Sequence, residues 1–446
     1  MLRAFADAFR IPELRQKFLL TLLLLTVYRL GAAIPTPGVD VERLTQNINQ
    51  SGAGGALGLL GLVSGGNLSQ FSIFALGVLP YITASIVMQI LTTALPQLEA
   101  MQKEGPEGQK RINQYTRVAA IALGAVQALF FASLLLSQSA KVGWGANIPM
   151  FYFVVVLTQC AGIAATMWLG ERITEYGIGN GISLIIFAGI VSRFPIEFQQ
   201  TIALLNTGQV DLLRILAFFA MIIAVVAAIV MIQQGERRIP VQYARKVATT
   251  RSPMGQSSAG QASYIPLKIN TAGVIPIIFA SAILQLAQLV PQIPQLRGSD
   301  FAVQFSSFLS TRSFSGAIVE IILIVAFTYF YTTISFDPKR VAENLREYGG
   351  FIPGVRPGDA TKEHLERIST RITLFGALFL AALAVIPNIV SNLTGITTFP
   401  LAGTTLLIVA GVALDTLKQI ESQLAVRNYG GFLQKGRLRG RGGFQQ

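Results

Sequence analysis

A bilayer core takes roughly 20 mostly apolar residues per helix, and ten apolar runs of this chain reach that length or come near it. They are Phe18 to Ile34, Phe71 to Leu95, Val118 to Ser137, Phe151 to Leu169, Gly181 to Phe194, Leu212 to Ile232, Ala272 to Leu289, Gly316 to Ser335, Ile372 to Ile386 and Leu401 to Leu417. The fifth and ninth are the shortest. A mean hydropathy of +0.55, with 52% hydrophobic and only 13% charged residues, agrees with a polytopic all-α membrane protein. The start, MLRAFADAFRIPELRQK, is amphipathic and basic, and no small-residue cleavage site follows the first run, so that run is expected to stay as a span.

Ten spans put both termini on one side, and the basic residues can then be sorted. Of the 35 Lys and Arg, 28 fall in the segments of that side. Five fall opposite (Arg43, Lys141, Arg193, Arg297, Arg312), and Arg29 and Arg214 lie within or beside spans. The positive-inside rule reads the basic side as cytoplasmic. A wrongly drawn span would have alternated the sign partway along, so the asymmetry also supports ten. The expected organisation is an amphipathic N-terminal segment at 1–17, a first half at 18–194, an external linker at 195–211, a second half at 212–418 with cytoplasmic loops at 233–270 and 336–371, and a basic tail at 419–446. Two halves of five spans each would be inverted repeats around a central pathway. The sequence shows no clear self-similarity between them.

Several function classes lose their footing. Cys160 lies alone in a span and His364 alone in a loop, so neither a disulfide nor a metal cluster is expected, and no cofactor is. Nucleotide-binding, zinc-protease and serine-hydrolase motifs are absent, which predicts no catalysis and leaves an ion gradient or another protein to supply energy. Ion-coupled carriers hold ionisable groups at mid-depth. Here Arg29, Arg214, Glu320 and Asp415 each sit where they can snorkel or pair at an interface.

One segment between the first two spans is unusual. From Gly52 to Gly66 it is apolar, too short to cross, and so rich in glycine that its own helical stability is poor. Such backbone must sit against protein or in a cavity. Composition serves a movable stopper and a static re-entrant loop equally well, and the spans serve a channel or a carrier.

Six strings settle more. YRLGAAIPTPGVD (28–40), FSIFALGVLPYITASIVMQILTTALP (71–96), EGPEGQKRINQYTR (104–117), MWLGERITEYGIGNGISLIIFAGIV (167–191), LKINTAGVIPIIFASAIL (267–284) and YGGFIPGVRPGDATKEHLERISTRITLFGALFLA (348–381) resemble the SecY family, the channel subunits of bacterial and plastid preprotein translocases. The resemblance covers nearly the whole chain in order. It implies an hourglass pore between two inverted halves, closed by an aliphatic ring and a short plug helix. Matched residue by residue, the ring is Val78, Ile82, Ile182, Ile186, Ile278 and Ile408, with Val78 standing where relatives commonly carry isoleucine. The plug core is Ala56, Leu57, Gly58, Leu59, Leu60, Gly61, Leu62, Val63 and Ser64. A narrow apolar collar dewets and resists ions while yielding to a passing chain. A lateral seam for releasing signal helices would include Ile86, Gln89, Gln127, Thr271, Ile275 and Thr328.

The loops of the basic side would be docking surfaces. The first, with Arg237, Arg238, Arg245, Lys246 and Arg251, has six basic residues against the single acid Glu236, an imbalance suited to a ribosomal RNA backbone. The second holds 7 basic and 6 acidic residues, and its informative piece is the turn Gly354-Val-Arg-Pro-Gly358. The resemblance gives Arg356 a role in engaging the SecA motor and implies SecE and SecG as partner subunits, besides the ribosome, signal peptides, nascent chains and lipid. It places the chain in a bacterial plasma membrane or a thylakoid membrane. The expected function is a protein-conducting channel of the general secretory pathway, and the competing reading is an ion-coupled small-molecule carrier.

Overall fold

The computed structural model describes residues 11–42, 71–137, 147–208, 210–243, 263–288, 299–310, 313–394 and 403–439. The plug segment, Arg245, Lys246 and Arg251 lie outside them. The described helices are α1 (Pro12–Ala32), α2 (Leu79–Ala94), α3 (Pro96–Lys103), α4 (Pro106–Ser137), α5 (Ile148–Tyr176), α6 (Gly181–Val191), α7 (Phe194–Asn206), α8 (Leu212–Gln234), α9 (Ile275–Gln288), α10 (Asp300–Phe308), α11 (Phe314–Ser335), α12 (Pro338–Glu347), α13 (Asp359–Thr394) and α14 (Gly403–Arg439). Strands β1 (Glu236–Tyr243), β2 (Ser263–Lys268) and β3 (Gly350–Phe351) complete the set.

Helix starts follow local chemistry. Proline opens α1, α2, α3, α5 and α12, where its missing N–H costs nothing. Asn180 caps α6 by accepting from the amides of Ile182 and Ser183, and Asp337 caps α12 by accepting from those of Lys339 and Arg340. Among the described residues, six helical segments are long and apolar enough to cross a bilayer unaided, including both runs that are short in sequence. Gly181–Asn206 counts as one because α7 extends the fifth run, and the ninth lies within a helix that begins at Asp359, well before its apolar part. The second run differs from its expected single helix. Residues 71–78 are irregular, helix begins at Leu79, and α2 bends by 99° into α3.

That irregular stretch survives at membrane depth because protein covers it. Phe71, Ser72, Phe74, Ala75, Leu76 and Val78 are all buried. The Thr36 amide donates to the Phe71 carbonyl and the Ile73 amide to the Ile34 carbonyl, each at 2.9 Å. The Gln159 amide of α5 donates to the Ser72 carbonyl (3.0 Å) and to the Thr36 hydroxyl (2.9 Å), and the Thr166 hydroxyl reaches the Gly77 carbonyl. Gly162 lets α5 approach, since a Cβ there would run into the Ile73 carbonyl oxygen.

Two compact units result. One runs to Asp211 and takes in α14 from Ile408; the other runs from Leu212 and ends with Leu407. In the first, Phe131, Leu135, Phe151, Val155 and Ile163 pack with small residues Ala84, Ala120, Ala128 and Ala132, which bring helices close. The second repeats the same internal order of neighbours: α2 packs on α4, α4 on α5 and α5 on α1 in the first, as α9 does on α11, α11 on α13 and α13 on α8 in the second.

This repetition exposes a sequence echo that the sequence reading missed. Gly77-Val-Leu-Pro80 and Gly273-Val-Ile-Pro276 both turn at a glycine of positive φ (+52° and +64°) and both open a helix. Four residues before each glycine, a carbonyl passes close to a glycine of the fourth span in its unit. A Cβ on Gly376 would lie 2.6 Å from the Ile269 oxygen, as one on Gly162 would meet Ile73.

The two long connections of the basic side are not bare loops, as the sequence reading has them. Their ends fold into a sheet of order β2-β1-β3, antiparallel throughout, with Ile239 opposite Ile265 and Tyr243 opposite Gly350. Ile239 and Val241 alternate inward with Leu267 onto Leu345, Ile352 and Leu365 from α12, the following turn and α13.

Candidate functional site

Val78 and Ile82 sit one turn apart at the start of α2, Ile182 and Ile186 one turn apart on α6, Ile278 on α9 and Ile408 on α14. Val78, Ile186 and Ile408 are buried, and Ile82, Ile182 and Ile278 are half-buried. Ile182 also packs on the fourth span, where a Cβ on Gly170 would lie 2.8 Å from its Cγ1. Within the first unit the geometry therefore sets two pairs of aliphatic side chains, each aligned on one helix face. Ile278 follows the second glycine turn as Ile82 follows the first: their amides donate to the Val274 and Val78 carbonyls at 3.2 and 3.0 Å.

Of the seam residues, Ile86 is buried in α2, Gln127 half-buried in α4 and Gln89 exposed. The Gln89 and Gln127 side chains make no hydrogen bond among the described residues. The Thr271 hydroxyl donates to the Lys268 carbonyl (2.9 Å), and that of Thr328 to Ile324 in its own helix (2.6 Å). Ile275 is half-buried at the first turn of α9.

Ionisable groups within the spans are sparse. Among the described residues the only buried charged side chains are Glu197 and Glu320, and each belongs to a different unit. Glu197 pairs with Arg193 at 3.4 Å. Glu320, which the sequence places near enough to the start of its span to snorkel or pair, is buried in α11, with one carboxylate oxygen lacking a partner among the described residues. Arg29, Arg214 and Asp415 are exposed.

On the basic side, Arg237 and Arg238 of β1 are both exposed, on opposite faces of the strand. Arg238 donates to Glu236 at 2.7 Å and stacks 4.8 Å over the Tyr264 ring from β2. That hydrogen bond, together with the Tyr264 ring, raises the guanidinium pKa above its ordinary value. Arg237 has no ion pair among the described residues and lines a cavity of about 340 Å³ with Glu236, Ile269, Arg371, Ile372 and Phe375.

The turn around Arg356 is built to hold it out. Ile352 is buried and its carbonyl accepts from the Val355 amide (3.0 Å), while Gly354 (φ +82°) and Gly358 (φ +105°) reverse the chain on either side. The buried Thr361 hydroxyl donates to the Arg356 carbonyl at 2.8 Å. The backbone is thus pinned while the guanidinium is exposed. Thr361 and Arg371 are contributors that sequence reasoning missed. Thr361 had one readable sign, its place in the first turn after a glycine.

Comparison with known proteins gives one consistent picture. A family model described as SecY matches residues 72–417. The chain is 54% identical to the protein translocase subunit SecY of Thermus thermophilus over 99% of its own length and 100% of that protein. It is similar in fold to a solved structure described as a protein conducting channel (TM-score 0.64, 22% identity, 93% of this chain and 96% of that one). It is likewise similar to Sec61 in the canine ribosome-channel complex from the endoplasmic reticulum (TM-score 0.62, 19% identity, the same coverage).

Proposed function

The chain belongs to the SecY family, and from that premise we propose how its residues work as a protein-conducting channel that passes unfolded preproteins across the membrane and releases signal or transmembrane helices sideways into lipid. It is a multi-pass membrane protein and a translocase component. The observation that carries the mechanism is the chemistry of the spans: aliphatic side chains at both glycine-turn helices, and no cluster of buried ionisable groups among the described residues. An aliphatic constriction expels water, so ions meet a dry barrier, whereas a polypeptide brings its own apolar surface and parts the side chains. A carrier would need a cluster of ionisable groups at mid-depth, whereas among the described residues the two buried carboxylates, Glu197 and Glu320, belong to different units.

In this reading Val78, Ile82, Ile182, Ile186, Ile278 and Ile408 form the collar. The segment 56–64 is the plug, and the gate includes Ile86, Gln89, Gln127, Thr271, Ile275 and Thr328. Thr271 and Thr328 use their hydroxyls locally, so seam polarity falls mainly to Gln89 and Gln127. The chain catalyses nothing itself; a ribosome or a SecA-type motor supplies the work. Arg356 engages the motor, Arg237, Arg238, Arg245, Lys246 and Arg251 meet the ribosome, and SecE and SecG complete the complex. Both termini are cytoplasmic in a bacterial plasma membrane.

Reconstitution tests the function. Vesicles holding the chain with its partner subunits should import a signal-bearing precursor when the motor and ATP are added. Proton-linked uptake of a small solute, with no precursor protected from protease, would replace the channel reading with the carrier.

A further inference from the structure

We propose that α10 (Asp300–Phe308) is an interfacial helix whose aromatic face lies in the lipid headgroup layer on the side opposite the basic loops, where it anchors the outer ends of α9 and α11. This surface is independent of what passes through the protein.

The face is defined by spacing. Phe301, Phe305 and Phe308 fall at i, i+4 and i+7, within an arc of about 60° at 100° per residue, while Asp300, Gln304, Ser306 and Ser307 lie outside it. All three phenylalanines are exposed, Phe301 at 73% and Phe308 at 56%, and the Phe301 and Phe305 rings stack on each other at 5.9 Å. Three exposed aromatic rings on a nine-residue helix are a poor solution in water. A lipid interface is their natural surroundings.

Hydrogen bonds at its C-terminus fix where the helix sits. The Phe308 carbonyl, at the end of α10, accepts from the Ser313 hydroxyl (3.1 Å) and the Ser315 hydroxyl (2.7 Å), the cap and first turn of the eighth span. Gly316 completes the joint, because a Cβ there would collide with the Ser310 carbonyl oxygen. The C-terminus of α10 is therefore held against the point at which α11 enters the bilayer. From that point an exposed apolar strip runs down α11 through Phe314 (84%), Ile318 and Ile322. Phe308 continues this lipid-facing strip, so the occupant that covers the strip also covers α10. At its other edge α10 packs on α9. Lipid is thereby tied to the outer ends of the seventh and eighth spans together.

The test uses the complete complex in vesicles, with Trp144 and Trp168 changed to Phe and one tryptophan introduced as Phe301→Trp, Phe305→Trp or, on the polar face, Ser307→Trp. Insertion to about 5–10 Å predicts that lipids brominated near the headgroup quench positions 301 and 305 at least about twofold more than lipids brominated near the chain ends, with Ser307→Trp quenched chiefly by aqueous iodide. Quenching of 301 and 305 by iodide alone would overturn the proposal. So would protection from both lipid and iodide, which would mean that a partner subunit or a second copy covers the face. The unsubstituted complex gives a second reading: a photoactivatable lipid with its reactive group near the headgroup should label residues 301–308, and labelling confined to the spans would also overturn it.

Discussion

Gly162→Ala should damage this protein far more than its single added methyl suggests. The new Cβ would be forced onto the Ile73 carbonyl oxygen, and that oxygen belongs to backbone pinned by the Ile34 and Ile73 hydrogen bond and by Gln159 on the neighbouring Ser72 carbonyl. Neither side can yield by a rotamer change. Overpacking of this kind costs about 1–3 kcal/mol, and separating α5 from the 71–78 segment would also weaken the Gln159 hydrogen bonds to buried groups. At about 2–4 °C per kcal/mol for a unit of this size, the apparent melting temperature of the purified complex should fall by roughly 2–12 °C. Gly124→Ala is the control. Its Cβ would meet only the Cδ1 tip of Ile163, which can swing aside, so its effect should stay below about 1 kcal/mol. Scanning fluorimetry of the two variants side by side decides the matter. An unshifted Gly162→Ala, or equal shifts for both, would refute the claim that rigid backbone sets the approach of α5.

The second unit offers a parallel: Gly376→Ala, 2.6 Å from the Ile269 oxygen, should lower the melting temperature in the same direction, and a neutral result would argue that the two glycine turns are not equivalent. Thr361→Val keeps the side-chain shape but removes the hydroxyl from the Arg356 carbonyl; a lost hydrogen bond of about 0.5–1.5 kcal/mol should weaken motor binding a few fold, measured by titration, and leave ribosome binding unchanged. Arg237→Ala should reduce the salt slope of ribosome binding by about 1, whereas Arg238→Ala, which also releases Glu236 to repel phosphate, should reduce it by more. Replacing Ile82 and Ile278 with glycine should make resting vesicles leak ions, and unchanged conductance would count against the aliphatic collar.

How much was readable depends on which force shapes each segment. The spans were legible because the bilayer demands long apolar runs and the 28 basic residues of one side orient them. Residues 71–78 were not, because a buried irregular segment is as apolar as a helix. Only the glycine three residues before Pro80 marks the break, and it carries weight once Gly273 and Pro276 are seen to repeat it. The small sheet was hidden for the opposite reason. In Glu236–Tyr243 the charges dominate the composition, while the signal lies in the two-residue alternation of Ile239 and Val241. Arg356 was legible as an exposed turn residue. The Thr361 bond that pins it spans five residues and depends on the start of α13. Glu320 reads as a near-terminal residue that could reach water, but helix packing in the second unit encloses it.

The central claim is that a polypeptide passes through the aliphatic collar, and the most direct measurement is site-specific crosslinking of a precursor arrested in transit. Photoreactive residues placed at Ile82, Ile186, Ile278 and Ile408 should each capture the arrested chain. The same probe at Leu213 or Met231, exposed at 78% and 74% on α8, should capture lipid only. Capture at α8 with none at the four isoleucines would contradict the account.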